Sequence, residues 1–99
     1  MNKTTQKVMF SSKKDSWATP QSFFDKLNKI YGFTLDPCAA ATNNKCARFY
    51  TEEQDGLVQS WQGESVFMNP PYGREIKHWL KKAYEEGQDS QTRVVCLIP

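Results

Sequence analysis

Ser65-Val-Phe-Met-Asn-Pro-Pro-Tyr-Gly-Arg-Glu-Ile-Lys-His-Trp-Leu-Lys-Lys-Ala-Tyr-Glu-Glu-Gly87 is followed, after four polar residues, by Thr92-Arg-Val-Val-Cys-Leu-Ile98. The stretch opens on a short apolar run, Ser65 to Met68, which reads as a strand. From about Arg74 to Glu86, Ile76, Trp79, Leu80, Ala83 and Tyr84 recur on one helical face. Arg74, Lys77, Lys81, Lys82 and Glu85 occupy the other. Gly87 supplies the stop. The run 92–98 is apolar and rich in β-branched residues, the pattern of a strand covered on both faces in a parallel sheet. Strand, helix and strand make one βαβ unit, expected to be right-handed. The fold class is therefore α/β: a partial, Rossmann-like parallel sheet with flanking helices.

Working outward, a second helix is signalled further back in the chain. Thr19 can cap it and Pro20 suits its first position, where a missing N–H costs nothing. Phe23, Phe24, Leu27, Ile30 and Tyr31 follow at helical spacing, and Gly32 ends the run. Phe33-Thr-Leu-Asp36 is a strand candidate closed by Pro37. Between Pro37 and Gly63 no period is strong. Thr51-Glu-Glu-Gln54 has the form of a capping box, but Gly56 keeps any helix short. Residues 1–14 carry Lys3, Lys7, Lys13 and Lys14, no acid and no periodicity, so they read as a flexible basic arm. The chain stops at Pro99, directly after a buried-type strand, where a helix or hairpin ordinarily follows. The expectation is a domain over 15–99 that is incomplete after its last strand. That strand would then be an exposed apolar edge, and the 99 residues alone would fold marginally.

Composition narrows the function classes. Thirteen Lys and Arg against eleven Asp and Glu leave a net charge of +2, too even to argue nucleic-acid binding from charge alone. A hydrophobic content of 38% excludes wholesale disorder. Length excludes a complete two-halved Rossmann enzyme. The longest apolar run, Val94 to Ile98, is far short of a membrane span, and the N-terminus has no apolar segment of a secretory signal. Cys38, Cys46 and Cys96 are odd in number and form no CxxC pair, which points to a reducing compartment. With His78 they fit no zinc spacing, so no metal is expected.

Chemistry concentrates in Asn69-Pro70-Pro71-Tyr72-Gly73, at the carboxyl end of a strand and just before a helix, where α/β proteins place their ligands. Two prolines fix two φ angles and remove two donors. The stiff loop presents acceptors, the Asn69 side-chain oxygen and the Pro70 carbonyl, and these match the two hydrogens of a planar amino group. Tyr72 offers a face on which a base can stack. Such a set suits methyl transfer to an exocyclic amino nitrogen: held hydrogens favour a pyramidal nitrogen whose lone pair can attack. Taken alone the five residues fit a plain turn equally well; the flanking strand and helix favour the site. Asp36 at a strand end fits either a turn cap or a ligand contact, and Asp55 before Gly56 fits a turn first. Trp17 lies outside every stripe and suits a ligand or surface contact. Trp79 and Tyr84 read as core, and the lysines of the second helix alternate with glutamates as a solvated face does.

Beyond these local readings, roughly residues 15–99 resemble the phage-type, Dam-like DNA N6-adenine methyltransferases of phages and prophages. The likeness is carried by Trp17-Ala-Thr-Pro20, the helix with Phe24, Phe33-Thr-Leu-Asp-Pro-Cys-Ala39, Asn43 or Asn44, Phe49-Tyr50-Thr51 and Asp55-Gly-Leu57. It continues through Trp61, Asn69-Pro-Pro-Tyr-Gly73, Trp79, Lys82-Ala83 and the last strand, in matching order and spacing. The resemblance implies a site-specific enzyme that transfers a methyl group from S-adenosylmethionine to N6 of adenine in double-stranded DNA. It implies no membrane association and the cytoplasm of a bacterial host. Asn69, Pro70, Pro71 and Tyr72 would form the catalytic motif. Asp36, with Pro37, Cys38 and Ala39, would hold the methionine side of the cofactor, Asp36 meeting its ammonium or ribose. Thr19 and Pro20 would pack across the cofactor, and Asp55 would accept from its adenine amino group. Trp17, Tyr72 and Gly73 would touch the substrate. One departure is plain: no Gly-x-Gly loop follows the first strand, and Asp36-Pro-Cys-Ala-Ala-Ala41 stands there instead. S-adenosylmethionine carries no phosphate, so a phosphate cradle is not required. Two other readings stay open. An Asn-Pro-Pro-Tyr site also suits a protein-glutamine or RNA amino methyltransferase, because a carboxamide nitrogen poses the same lone-pair problem. A non-catalytic module that keeps nucleic-acid or cofactor contacts is the third.

Overall fold

The computed structural model describes residues 7–11, 19–39, 44–71 and 73–98. In chain order these form β1 (Lys7–Ser11), α1 (Gln21–Tyr31), β2 (Leu35–Asp36), β3 (Arg48–Phe49), β4 (Ser65–Met68), α2 (Ile76–Glu86) and β5 (Arg93–Ile98), with a 3-10 turn at Gly56–Val58. The strands make one sheet in the order β1-β5-β4-β2-β3. Every pairing is parallel. The β4-α2-β5 unit is as the apolar patterns dictate, with Ser65 opposite Arg93 through to Met68 opposite Cys96. Among the described residues no helix is long and apolar enough to cross a membrane.

Strand alternation sorts the core into two layers. On one face Leu35, Val66, Met68, Val94 and Cys96 meet Trp79 and Ala83 of α2, together with Trp61. On the other Phe67 and Leu97 meet Phe24 and Leu27 of α1, with Cys46. Burying a side chain of this size contributes about 1.5–3 kcal/mol. Phe24 also meets Phe67 edge-on, with centroids 5.0 Å apart. Both helical stripes are narrower than their periodicity predicts. Ile30 is 69% exposed and Tyr84 54%. At 100° per residue each falls at the margin of its stripe, beyond the contact line with the sheet. Gly32 ends α1 as expected, with φ 59° and its N–H donating to the Asn28 carbonyl at 2.8 Å.

Four expectations change. A flexible basic arm over 1–14 is the reading of the lysines, yet Lys7–Ser11 form β1 and pair in register with β5, Lys7 opposite Val94 and Ser11 opposite Ile98. The physical reason lies in β5, which is apolar on both faces and leaves a row of backbone groups that a neighbour must satisfy. The same pairing overturns the exposed terminal edge: β5 lies between β1 and β4. Thr19 does not cap α1. Pro20 holds the N-cap position with ψ 138°, and it makes no side-chain cap bond. Finally, Thr51–Gln54 makes its side-chain reach-back, the Thr51 N–H donating to Gln54 Oε1 at 2.8 Å, but the chain closes a turn and no α-helix follows.

Candidate active site

The sheet order places a crevice. From β2 the chain moves outward to β3, and from β4 it moves the opposite way to β5, so adjacent β2 and β4 flank the point where the winding reverses. Open α/β sheets bind ligands at that point, outside the carboxyl ends of the strands. Here those ends carry Asp36-Pro37-Cys38-Ala39 and Asn69-Pro70-Pro71, and between them lies a cleft of about 900 Å³.

Asp36 is buried at the end of β2. Its Oδ2 accepts the Lys45 backbone N–H at 2.9 Å and its Oδ1 the Cys38 N–H at 3.4 Å. Burial raises its pKa above the ordinary 3.8, and those two N–H groups and the Lys45 charge oppose the rise without cancelling it. The Cys38 thiol is pushed well above its usual range by burial, then by the charges of Asp36 and Cys96. The Asn69 backbone N–H, hydrogen-bonded to Cys38, pulls the other way. That contact ties the loop after β2 to the loop after β4. Burial outweighs that contact and favours the protonated thiol.

A third wall comes from the turn at residues 51–58. Asp55 has φ 55°, in the left-handed region, stabilised by its own carboxylate accepting the Leu57 N–H at 3.1 Å. Gly56 follows and presses its backbone on Pro37. A Cβ there would overlap the Pro37 carbonyl oxygen and lie 3.1 Å from the Trp79 ring. The Gly56 carbonyl accepts from Trp61 Nε1 at 3.0 Å, and Trp61 stacks on Trp79 at 6.3 Å.

At the fourth side Asn69 is half-buried, and its Nδ2 donates to Thr19 Oγ1 at 3.0 Å. Pro70 is buried and Pro71 exposed. Of the residues singled out by sequence, Thr19, Asp36, Pro37, Cys38, Ala39, Asp55, Asn69, Pro70 and Pro71 line one cleft, while Pro20 and Gly73 are not among its lining residues. Trp17 and Tyr72 lie outside the described residues. Sequence reasoning missed Lys45, Glu52 and Glu75, which belong to aperiodic stretches or to a helix entry and give no local signal. It read Trp79 as core alone, and Trp79 serves both the core and the cleft wall. Among the described lining residues, Lys45 is the one cation, against the carboxylates Asp36, Glu52, Asp55 and Glu75. No group of three or more His, Cys, Asp or Glu suited to a metal ion occurs among the described residues.

A cleft of this size, with a buried carboxylate at one strand end and an amide at the other, has the dimensions of a small-molecule site. The sequence profile of the DNA N-6-adenine-methyltransferase (Dam) family matches residues 6–99. The chain belongs to the Dam family. It is 36% identical over 88 residues to the DNA N-6-adenine-methyltransferase of Haemophilus phage HP1 (strain HP1c1), covering 87% of this chain and 51% of that protein. With the DNA N-6-adenine-methyltransferase of Escherichia phage T1 it shares 33% identity over 88 residues, 87% of this chain and 36% of the relative. This Dam-family chain therefore spans about half or less of the length of these relatives. No solved structure matches it.

Proposed function

We propose that this chain carries the cofactor and amino-acceptor site of a DNA N6-adenine methyltransferase that acts on double-stranded DNA. One observation carries the reading: the Asn69 amide, anchored by Thr19 at 3.0 Å, stands across one cleft from the buried Asp36 carboxylate. S-adenosylmethionine, when bound, supplies an electrophilic methyl group on a sulfonium that leaves as a neutral thioether. Asp36 and the excess of carboxylates around it favour a ligand with ammonium and sulfonium charges, and Lys45 suits its carboxylate. Pro37 and Gly56, packed on each other, give that ligand a fixed wall. Asn69 Oδ1 and the Pro70 carbonyl accept the two N6 hydrogens and hold the nitrogen pyramidal. With its hydrogens held by Asn69 and Pro70, the N6 lone pair would be free to take the methyl group that the sulfonium supplies, the C–S pair would stay on sulfur, and one N6 proton would pass to solvent. Asn69 takes no proton, because an amide is not a base at neutral pH. Tyr72 stacks the base, which must leave the duplex to reach the cleft.

The test is methyl incorporation from labelled S-adenosylmethionine by the purified protein into duplex DNA, RNA and protein acceptors, followed by nucleoside analysis. N6-methyladenine in the duplex is the expected product. Label in RNA or in glutamine side chains, with none in DNA, overturns the substrate. No label anywhere and no cofactor heat in calorimetry overturns the enzyme reading in favour of a binding module.

A further inference from the structure

We infer that Thr19 is a positioning residue for Asn69: its hydroxyl holds the NH2 end of the amide and so restrains the side chain where a substrate amino group would meet it. The inference rests on the reading of Asn69 as the acceptor. It departs from the role that resemblance implies for Thr19, packing across the cofactor.

An asparagine amide has two ends of nearly equal shape and opposite hydrogen-bonding sense. Turned one way, Asn69 accepts from an incoming amino group. Turned the other, its two N–H donors face the amino hydrogens and repel them. Nothing in the stiffness of the Asn69-Pro-Pro backbone chooses between these, because prolines fix φ and leave the Asn side chain free to rotate. Partners of the amide restrain it, and Thr19 Oγ1, which accepts from Asn69 Nδ2 at 3.0 Å, is one that anchors it in the sense seen here.

Thr19 is built for this task and not for the helix behind it. It is 5% exposed, so its bond is shielded from competing water. Pro20 takes the N-cap position of α1, and the Thr19 hydroxyl meets the Asn69 amide in place of the helix end. Pro20 also steadies the segment. Its φ is −58° and its carbonyl accepts the Phe24 N–H at 3.1 Å, tying residue 19 to a helix docked on the sheet through Phe24 and Leu27. The contact spans 50 residues of sequence. It joins the entry of α1 to the end of β4, so the docking of α1 helps to place the amide.

The two roles for Thr19 separate experimentally. A residue that packs on the cofactor changes cofactor affinity; one that orients Asn69 changes turnover at saturating cofactor. In the full chain, Thr19→Val keeps the shape and removes the acceptor, and Thr19→Ser keeps the acceptor. For Thr19→Val we expect turnover on adenine-containing duplex to fall about tenfold, the loss expected for one neutral hydrogen bond. Its calorimetric Kd for S-adenosylmethionine should stay within about twofold. The Asn69 side-chain 1H–15N signals, assigned by their absence in Asn69→Ala, should shift. Thr19→Ser should restore both the signals and most of the turnover. Unchanged amide signals in Thr19→Val, a loss confined to Kd, or a Thr19→Ser as impaired as Thr19→Val overturns the inference. One reading needs no variant. In the unsubstituted chain the Asn69 amide protons should exchange with solvent more slowly than those of the exposed Gln62, and equal rates overturn the inference even if Thr19→Val fails to fold. A wild-type chain that methylates no adenine defeats the functional reading alone, while the amide signals still decide the role of Thr19.

Discussion

Asp36 is a carboxylate where water barely reaches, at 4% exposure, and its pKa shift has a consequence for stability. Burial raises the pKa above 3.8, so the folded chain holds this proton more tightly than the unfolded one. The stabilising contribution is complete below the unfolded pKa and is lost as pH rises through the raised folded value. The melting temperature of the wild type minus that of Asp36→Asn should therefore increase as pH is lowered from about 7 toward 4. A difference that stays flat or shrinks would show that the Lys45 and Cys38 N–H groups outweigh burial. The same variant should bind S-adenosylmethionine more weakly at pH 7, measured by calorimetry. A buried carboxylate with a raised pKa that lines a cleft is a candidate ligand contact. At the other strand end, Asn69→Ala should leave the melting temperature close to wild type and lower turnover by about a hundredfold or more. Near wild-type rates would remove Asn69 from the chemistry. Tyr72→Ala should weaken productive base binding and Tyr72→Phe should not, because stacking needs the ring; a fluorescent base analogue at the target position reports the difference.

Among the elements, the short turn at Gly56–Val58 matters beyond its size. It packs between the loop after β2 and the first turns of α2, and its position is set by a chain of contacts. Lys82 lies over the Trp61 ring at 5.4 Å and pairs with Glu86 at 3.0 Å. Glu86 Oε1 accepts the Trp61 backbone N–H at 2.8 Å, and Trp61 Nε1 donates to the Gly56 carbonyl. The end of α2 thereby braces the wall of the cleft. Lys82, read from sequence as part of a solvated face, is half-buried in this contact. Gly56→Ala would put a Cβ against the Pro37 carbonyl and 3.0 Å from Pro37 Cβ. Backbone cannot yield as a side-chain tip does, so we expect a loss of about 1–3 kcal/mol in urea unfolding. Cofactor affinity should fall with it. A Gly56→Ala chain with unchanged unfolding and unchanged affinity would show that the turn moves aside freely.

For the molecule as a whole, the arrangement depends on β1. The strand β5 belongs to both core layers, through Val94 and Cys96 on the α2 face and Leu97 on the α1 face. Its outer backbone edge is covered by Lys7–Ser11. Removing residues 1–11 should expose that edge, lower the melting temperature and promote self-association through strand pairing. Light scattering and thermal melts of the shortened chain would register both. A monomeric shortened chain with the parent melting temperature would mean that β1 contributes nothing to the sheet. The opposite edge is β3, only two residues long, and shortness itself guards an edge against pairing.

The β4-α2-β5 unit was legible in sequence because its patterns are local. A continuous apolar run, a 3.6-residue stripe and a glycine stop each report their own surroundings. The Asn69-Pro-Pro loop was legible for the same reason, since proline fixes geometry wherever it stands. β1 was not, because Val8-Met9-Phe10 is too short to show a period and becomes a strand only when β5 offers an edge. β3 is shorter still, and its pairing of Arg48 with Leu35 exists only once the loops have brought β2 beside it. The cleft itself belongs to tertiary structure. Sequence could nominate Asp36 and Asn69 separately, but a strand order that reverses between β2 and β4 puts their ends side by side. Thr19 shows the division most plainly. By local rules it is a helix cap, and in the folded chain Pro20 takes that place and the Thr19 hydroxyl turns to an amide 50 residues away. Local preference is a matter of about 1 kcal/mol, and a partly buried hydrogen bond between two packed elements, of similar size, takes its place.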